Sequence, residues 1–339
     1  MLQNREKGTW VKFTLMGLLF ILAFIGAFGI GRYSVPFFEV PRILLSPMIP
    51  LEPTWSAEME TVVLRVRLPR ILAAALIGGA LSAAGAVYQG LFRNPMVSPE
   101  VLGASSGAGF GAALGIILAG GYFLITLLSF TFGIIAVGLA YLISSRSRLN
   151  RSLSLVLSGM MIGSIFSSLI SYIKLVADPL NDLPAITYWL MGSLASIRQR
   201  DLLFVTIPIV IGLLPLLLIR WRINILTMGE EEAASMGVDT ATLRRIAIAC
   251  STLITAASVS VSGMIGWVGL VIPHFARLLV GYDYKLLLPA SVILGSTYLL
   301  VVDTIARILA TSEIPLGILT SLVGAPVFIT LLLREELVQ

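Results

Sequence analysis

The chain has 339 residues, of which 57% are hydrophobic and 12% are charged, and its mean hydropathy is +0.97. Soluble domains carry about 25% charged residues, so this composition excludes an ordinary soluble fold and predicts a polytopic membrane protein. In such a protein the net charge of +5 reflects basic residues on the cytoplasmic side, and it indicates no nucleic-acid partner.

The residue types that carry reactive chemistry are scarce. Cys250 is the single cysteine and His274 the single histidine, which leaves no disulfide framework and no cluster for a metal. We interpret His274 as a structural hydrogen-bonding residue rather than a metal ligand. The chain lacks a G-x-x-x-x-G-K-[ST] phosphate loop, so it does not hydrolyse nucleotide by that route. No catalytic residue, metal or cofactor is expected.

Ten apolar runs bounded by turn residues predict ten transmembrane helices, since a span needs about 20 apolar residues. They cover residues 10–32, 69–91, 96–119, 122–144, 152–176, 202–219, 244–262, 267–281, 286–309 and 314–333. The first run is longer than a signal-peptide core, so it is expected to be retained. Residues 185–197 are too short to span and predict a re-entrant or interfacial helix. Residues 1–339 are therefore expected to form a single transmembrane domain.

The basic residues of the loops set the orientation, because cytoplasmic loops are enriched in lysine and arginine. With ten spans, one side carries Arg5, Lys7, Lys12, Arg146, Arg148, Arg151, Arg220, Arg222, Arg244, Arg245 and Arg334. That side is predicted to be the cytoplasm, and both termini lie on it. Residues 34–62, which include four glutamates, then form an extracytoplasmic loop.

Four arginines break this rule at the predicted outer ends of two spans. They are Arg65, Arg67, Arg70 and Arg307. Charged residues in such places often mark function. Alternatively, they extend to outer lipid headgroups or pair with glutamates of the outer loop. Asp303 lies four residues before Arg307 on one helix, so the two can form a pair that is structural or that holds Arg307 for an acidic partner.

The polar segment 226–243, between the sixth and seventh spans, predicts two short cytoplasmic helices. The first contains Glu230, Glu231, Glu232, Ala233 and Ala234, and it ends at Gly237. Carboxylates suit the positive N-terminus of a helix, and glycine is the usual residue after its last turn. Asp239 or Thr240 is expected to cap the next helix. Such a short helix can fit a groove on a partner; the alternative is an ordinary solvated loop.

Small residues fill most of segment 103–115, and a proline break precedes it. The candidates for a translocation path or gate are Asn94, Pro95, Gly103, Ser105, Ser106, Gly107 and Gly109. Small residues allow close helix contact, and they also suit a wide, smooth path for a bulky substrate; packing alone is the alternative. Proline disfavours helix at the preceding residue, so the Asn-Pro break is either a gate or a static turn.

The chain also contains a weak internal repeat. Arg70, Gly85 and Pro95 are followed in the same order by Arg245, Gly263 and Pro273. The first copy enters the membrane from outside and the second from inside. An inverted repeat of this kind is a common plan of transporters.

Several motifs, in order along the chain, resemble the FecCD-type permeases of ABC importers. They are RLPR at 67–70, FRNPMVSPEVLGASSGAGFG at 92–111, SGMIGWVGLVIPHFARLL at 262–279 and IPLGILTSLVGAPVFITLLL at 314–333. The string EAASMG at 232–237 is similar to the EAA-type coupling motif of ABC importer permeases. The resemblance runs from about residue 62 to the C-terminus.

This resemblance implies an all-α, inverted-repeat, type II importer permease with ten helices, working as a homodimer in the bacterial cytoplasmic (inner) membrane. Two ATP-binding cassette subunits would bind segment 226–243, and an extracytoplasmic substrate-binding protein would dock outside. Arginines matching Arg67, Arg70 and Arg307 receive acidic residues of that protein in the family. The cargo would be a large metal chelate, such as an iron-siderophore, haem or cobalamin, moved by alternating access, and the permease itself would hydrolyse no ATP.

An ion-gradient-driven secondary transporter is the alternative. It would need intramembrane carboxylates as proton or sodium sites, and away from loops and helix ends only Asp303 qualifies. An intramembrane enzyme is disfavoured, because the spans lack a paired-Asp, His-Glu or Ser-His arrangement. Met160, Met161 and Met264 are interpreted as packing residues rather than haem ligands. No residue chooses among chelates, haem, corrinoids and oxyanions, so selectivity is assigned largely to the binding protein.

Overall fold

The computed structural model describes residues 2–148, 150–228, 230–310 and 312–335. These residues form helices and no strand, which confirms the all-α prediction. The helices of the first half are α1 (Leu2–Gly29), α2 (Glu39–Leu45), α3 (Ala57–Thr61), α4 (Leu68–Phe92), α5 (Ala104–Ile117), α6 (Tyr122–Arg146) and α7 (Arg151–Val176). Those of the second half are α8 (Asp182–Leu190), α9 (Gln199–Met228), α10 (Glu230–Ser235), α11 (Thr240–Ser262), α12 (Val268–Val280), α13 (Tyr284–Ile308) and α14 (Leu316–Glu335).

Within the described ranges, seven helices are long and apolar enough to cross a membrane. One of them is a continuous run, Ala57–Phe92, in which a π-helical turn at Val62–Arg67 joins α3 to α4. The other three predicted spans correspond to the shorter apolar helices α5, α12 and α14. The count of ten spans and the cytoplasmic termini therefore stay predictions.

The prolines explain why α5 is short. The chain leaves α4 at Arg93 in a left-handed conformation and forms a turn, in which Asn94 Oδ1 accepts the Met96 amide at 2.9 Å. A 3₁₀ turn at Pro99–Leu102 follows, and Gly103 then starts α5. Residues that the sequence pattern assigned to a span thus form the connection before it.

Helix α4 is the centre of the bundle. It packs against α9, α11, α12 and α13, and most of its length is buried. Helices α1 and α9 instead turn many large apolar side chains outward, as expected for the lipid-facing surface of a membrane protein. Lipid chains are as apolar as leucine side chains, so helices in a membrane associate through close packing. A helix at the centre of the bundle therefore requires close contact with its neighbours.

Glycines provide that contact. A Cβ added at Gly85 would overlap the carbonyl of Gly269 in α12, and one added at Gly78 would overlap the carbonyl of Gly295 in α13. Backbone therefore meets backbone at both crossings, and no side chain larger than hydrogen fits there.

We predict that Gly85→Ala lowers the apparent melting temperature of the purified protein, measured by fluorescence-detected size exclusion after heating. The added methyl group has to push α4 away from α12, which costs about 1–3 kcal/mol. Gly17→Ala is the matched control, because a Cβ at Gly17 meets nothing within 4 Å. A Gly85→Ala protein as stable as this control would contradict the packing described.

Candidate functional site

Arg70 is the centre of a buried ionic cluster at one end of the bundle. Its Nε lies 2.8 Å from Asp303 Oδ1 in α13, and its Nη1 lies 2.8 Å from Glu313 Oε1, between α13 and α14. Arg307 also faces Asp303, with Nε 3.4 Å from Oδ2, as the spacing of four residues predicted. The side chain of Asp303 is 1% exposed and that of Glu313 is 29% exposed, so Glu313 is the member that solvent can reach.

Two further arginines complete the cluster through backbone carbonyls. Arg67 donates to the carbonyls of Phe28 and Tyr33. Arg32 Nε donates to the carbonyl of Arg307 at 3.1 Å, and the Arg32 side chain is exposed.

Sequence reasoning missed Arg32, although it too lies at the predicted outer end of a span. Applying the positive-inside rule to the first span would have found it.

A cavity of about 180 Å³ opens onto this cluster, and we call it the arginine pocket. Its charged lining residues are Arg32, Arg67, Arg70, Arg307 and Glu313. With Asp303 behind them, four positive charges face two negative ones, which leaves the pocket positive. The assignment of Arg67, Arg70 and Arg307 to a docking surface stays a prediction. The structure places these residues in a recess, where they are 4%, 4% and 7% exposed.

The segment predicted to couple to an ATPase forms a short helix, as the sequence indicated. Helix α10 spans Glu230–Ser235, and Gly237 follows with φ = +74°, a conformation that favours glycine. The Val238 amide donates to the Ala233 carbonyl at 3.2 Å, which closes the helix end. The Ala233 side chain is fully buried, whereas Glu232 is exposed and accessible to a partner. The side chains of Glu230, Glu231 and Ala234 lie outside the described part of the structure.

Asp239 caps the helix that continues into the membrane. Its Oδ1 accepts the Thr242 amide at 3.0 Å, so Asp239 rather than Thr240 is the capping residue of α11. The hydrogen bonds from the Thr242 hydroxyl and amide lower the pKa of Asp239 below its usual range. The α10–α11 connection is therefore fixed at both ends by local hydrogen bonds.

The small residues of α5 serve helix packing in this structure. A Cβ at Gly107 would overlap the Phe132 carbonyl of α6, and one at Gly109 would lie 3.0 Å from Leu190 Cδ2. Ser105 is also buried, and Ser106 is half-buried. Asn94 and Pro95 are exposed in the turn after α4, and Gly103 is buried where α5 begins. The assignment of these residues to a translocation path or gate stays a prediction.

No group of three or more His, Cys, Asp or Glu side chains that could hold a metal ion occurs in the described ranges. The acidic residues of the arginine pocket face arginines instead, so their charges are already balanced within the fold.

Residues 18–334 match the model of the FecCD transport family, so the chain belongs to that family. It is 40% identical over 311 residues to the molybdate import system permease protein MolB of Haemophilus influenzae, covering 92% of each chain. It is 37% identical over 297 residues to the cobalamin import system permease protein BtuC of Halobacterium salinarum, covering 87% of this chain and 80% of that one.

The fold also matches a solved inward-facing structure assigned to the metal-chelate type of ABC transporter. The TM-score is 0.86 at 38% sequence identity, with 96% of this chain and 99% of that chain covered. The protein is thus a transmembrane ABC transporter permease of the inner membrane. It is a transport subunit, and partner subunits hydrolyse the ATP.

We predict that Asp303→Asn destabilises the protein by about 3–5 kcal/mol, because it leaves two buried arginines without their shared carboxylate. Glu313→Gln is the matched control, and it should cost clearly less because Glu313 is partly solvated. The measurement is the free energy of unfolding in mixed detergent micelles containing increasing SDS. Equal losses in the two variants would contradict the central place of Asp303.

Proposed function

We propose that this chain is the permease subunit of an ATP-driven importer that takes cargo from an extracytoplasmic binding protein. Two copies of the chain would form the pathway, and two ATP-binding cassette subunits would bind segment 226–243. ATP binding would move α10, and the motion would switch the pathway between outward and inward access. The ten-span topology with both termini in the cytoplasm belongs to the same proposal.

The observation that carries the proposal is the separation of two sites along one helix. Asn224, near the end of α9 and two residues before the coupling segment 226–243, accepts the backbone amide of Tyr284 at 2.8 Å. Tyr284 begins α13, and Arg307 lies near the other end of that helix. Twenty-five helical residues span about 37 Å, enough to cross the bilayer core. One site therefore suits a cytoplasmic partner and the other an external one.

The contacts of Asp303 argue against the secondary-transporter alternative, for which Asp303 was the candidate ion site. A transported proton or sodium ion needs a carboxylate that can exchange charge during the cycle. Asp303 instead contacts both Arg70 and Arg307 and is almost fully buried. Its charge is already balanced within the fold, which favours a structural role.

For the cargo, we propose a large metal chelate such as an iron-siderophore, haem or cobalamin. The cobalamin permease among the relatives and the metal-chelate type of the matched structure support this class. Molybdate is the second candidate, because the relative that is 40% identical over 92% of the chain is a molybdate permease. Selection of the cargo by this chain is not required, since the binding protein would select it.

The coupling role is tested at Glu232, which is exposed on α10. We predict that Glu232→Arg lowers retention of the ATPase subunits by roughly tenfold or more during affinity purification, the equivalent of about 1.4 kcal/mol. The exposed Glu52→Arg of the outer loop introduces the same charge change at the predicted opposite side and should leave retention unchanged. If Glu232→Arg retains the ATPase subunits and supports normal stimulated ATP hydrolysis, the coupling assignment is wrong.

Docking at the arginine pocket requires a partner carboxylate to compete with Glu313 for Arg70. We predict that Glu313→Gln strengthens docking of the binding protein, because it frees Arg70 Nη1, and that Arg32→Glu weakens it. Surface plasmon resonance on the reconstituted complex measures both, and the charge reversal should act mainly on the association rate. Arg32 is a cleaner probe than Arg70, whose reversal would also break buried ion pairs.

Arg65→Glu provides the matched control for docking. Arg65 is exposed and close in sequence, but it does not line the arginine pocket. An equal loss of affinity in Arg65→Glu and Arg32→Glu would mean that only the general surface charge matters, and would refute docking in the pocket.

A further inference from the structure

Two adjoining cavities mark the surface between α6 and α11. The first has a volume of about 500 Å³ and is lined mainly by apolar side chains, including Ile134 and Val137. The second has a volume of about 370 Å³ and lies where α6 ends and α7 begins. Tyr141, Arg245 and Ile248 line both cavities, so the two form one continuous site, which we call the α6–α11 groove.

One end of the α6–α11 groove is polar and positive. Arg151, Arg244 and Arg245 line it with several serines, and none of its lining residues in the described ranges is acidic. Arg245 is positioned at the rim, because its Nη2 donates to Thr242 Oγ1 at 2.8 Å. Guanidinium groups bind phosphate through paired hydrogen bonds, so this end suits a phosphate ester.

The other end of the groove accepts hydrocarbon. Gly138 forms part of its wall, and a Cβ added there would meet nothing within 4 Å. Thr252 also lines this end, but its Oγ1 is already hydrogen-bonded to the Tyr88 hydroxyl at 3.2 Å. The exposed side chain of Ile134 adds apolar surface at the mouth. An apolar channel of this size, open on a membrane-spanning surface, suits an acyl chain.

The two ends together match one class of molecule. Helices α6 and α11 both qualify as membrane spans, so lipid surrounds their outer faces. The polar end lies beside the basic residues predicted to face the cytoplasm, where anionic headgroups attract arginine. We propose that the α6–α11 groove binds an anionic phospholipid, with its phosphate against Arg151, Arg244 and Arg245 and one acyl chain beside Gly138.

The apolar half distinguishes this ligand from others with the same charge. A free phosphate ester or an acidic protein segment would contact the arginines, but neither has a hydrocarbon chain to place beside Gly138. The proposal requires only that the chain lies in a membrane, so its failure would leave the transport function untouched.

The test titrates the purified, delipidated full-length chain with three probes and counts bound ligand by native mass spectrometry. The probes are phosphatidylglycerol, phosphatidylcholine with the same acyl chains, and glycerol 3-phosphate. Phosphatidylglycerol should bind tightest. Arg151→Gln and Arg245→Gln should each weaken it about fivefold. Arg148→Gln, an exposed arginine on the same loop that does not line the groove, should leave affinity unchanged.

A second variant tests the acyl-chain half without changing any charge. Gly138→Leu should fill the apolar channel and weaken phosphatidylglycerol binding by about tenfold, the equivalent of roughly two methylene groups. Its melting temperature should match that of Gly17→Leu, the control on another open helix face, which should bind lipid normally. Unchanged lipid binding in Gly138→Leu, or binding of glycerol 3-phosphate as tight as that of phosphatidylglycerol, would overturn the proposal.

Discussion

The backbone contacts of α4 are the constraint on which the rest of the structure depends. Inside a membrane no hydrophobic force drives helices together, so a central helix needs neighbours that approach to backbone distance. Gly85 and Gly78 permit this approach to α12 and α13. Because α4 and α13 lie side by side, the start of one meets the end of the other, and that meeting brings Arg70 to Asp303. Packing by glycine therefore creates the ionic cluster.

The ionic cluster is stable only because its charges are shared. Burying a lone charge in an apolar interior is costly, whereas a paired and hydrogen-bonded charge can be accommodated. Asp303 serves two arginines, and Arg67 uses backbone carbonyls. The excess of positive charge is left facing the arginine pocket, with Glu313 as its partly exposed counter-ion. Each buried arginine of the cluster thus has a carboxylate or a backbone carbonyl as its partner.

Local patterns in the sequence predicted local structure well. The ten apolar runs each correspond to a helix, and Gly237 ends α10 as its residue type indicates. The pairing of Arg70 with Asp303 joins residues 233 apart in sequence, and nothing in either segment reveals the other. Burial could not be predicted from the sequence either. Ala233 was expected to lie on the surface that contacts a partner, but its side chain is buried within the chain. Which face of a helix is buried depends on the helices packed against it. The sequence of a single apolar helix contains little information about which helices those are.

In the proposed function, ATP hydrolysis by partner subunits drives import through this chain. The most direct measurement is uptake of a labelled iron chelate, and separately of labelled molybdate, into proteoliposomes containing the chain with its ATPase subunits and binding protein. Ionophores dissipate all proton and sodium gradients during the assay. We expect accumulation of one cargo that requires internal ATP and survives the ionophores. Uptake that proceeds without ATP and collapses with an ion gradient would contradict it.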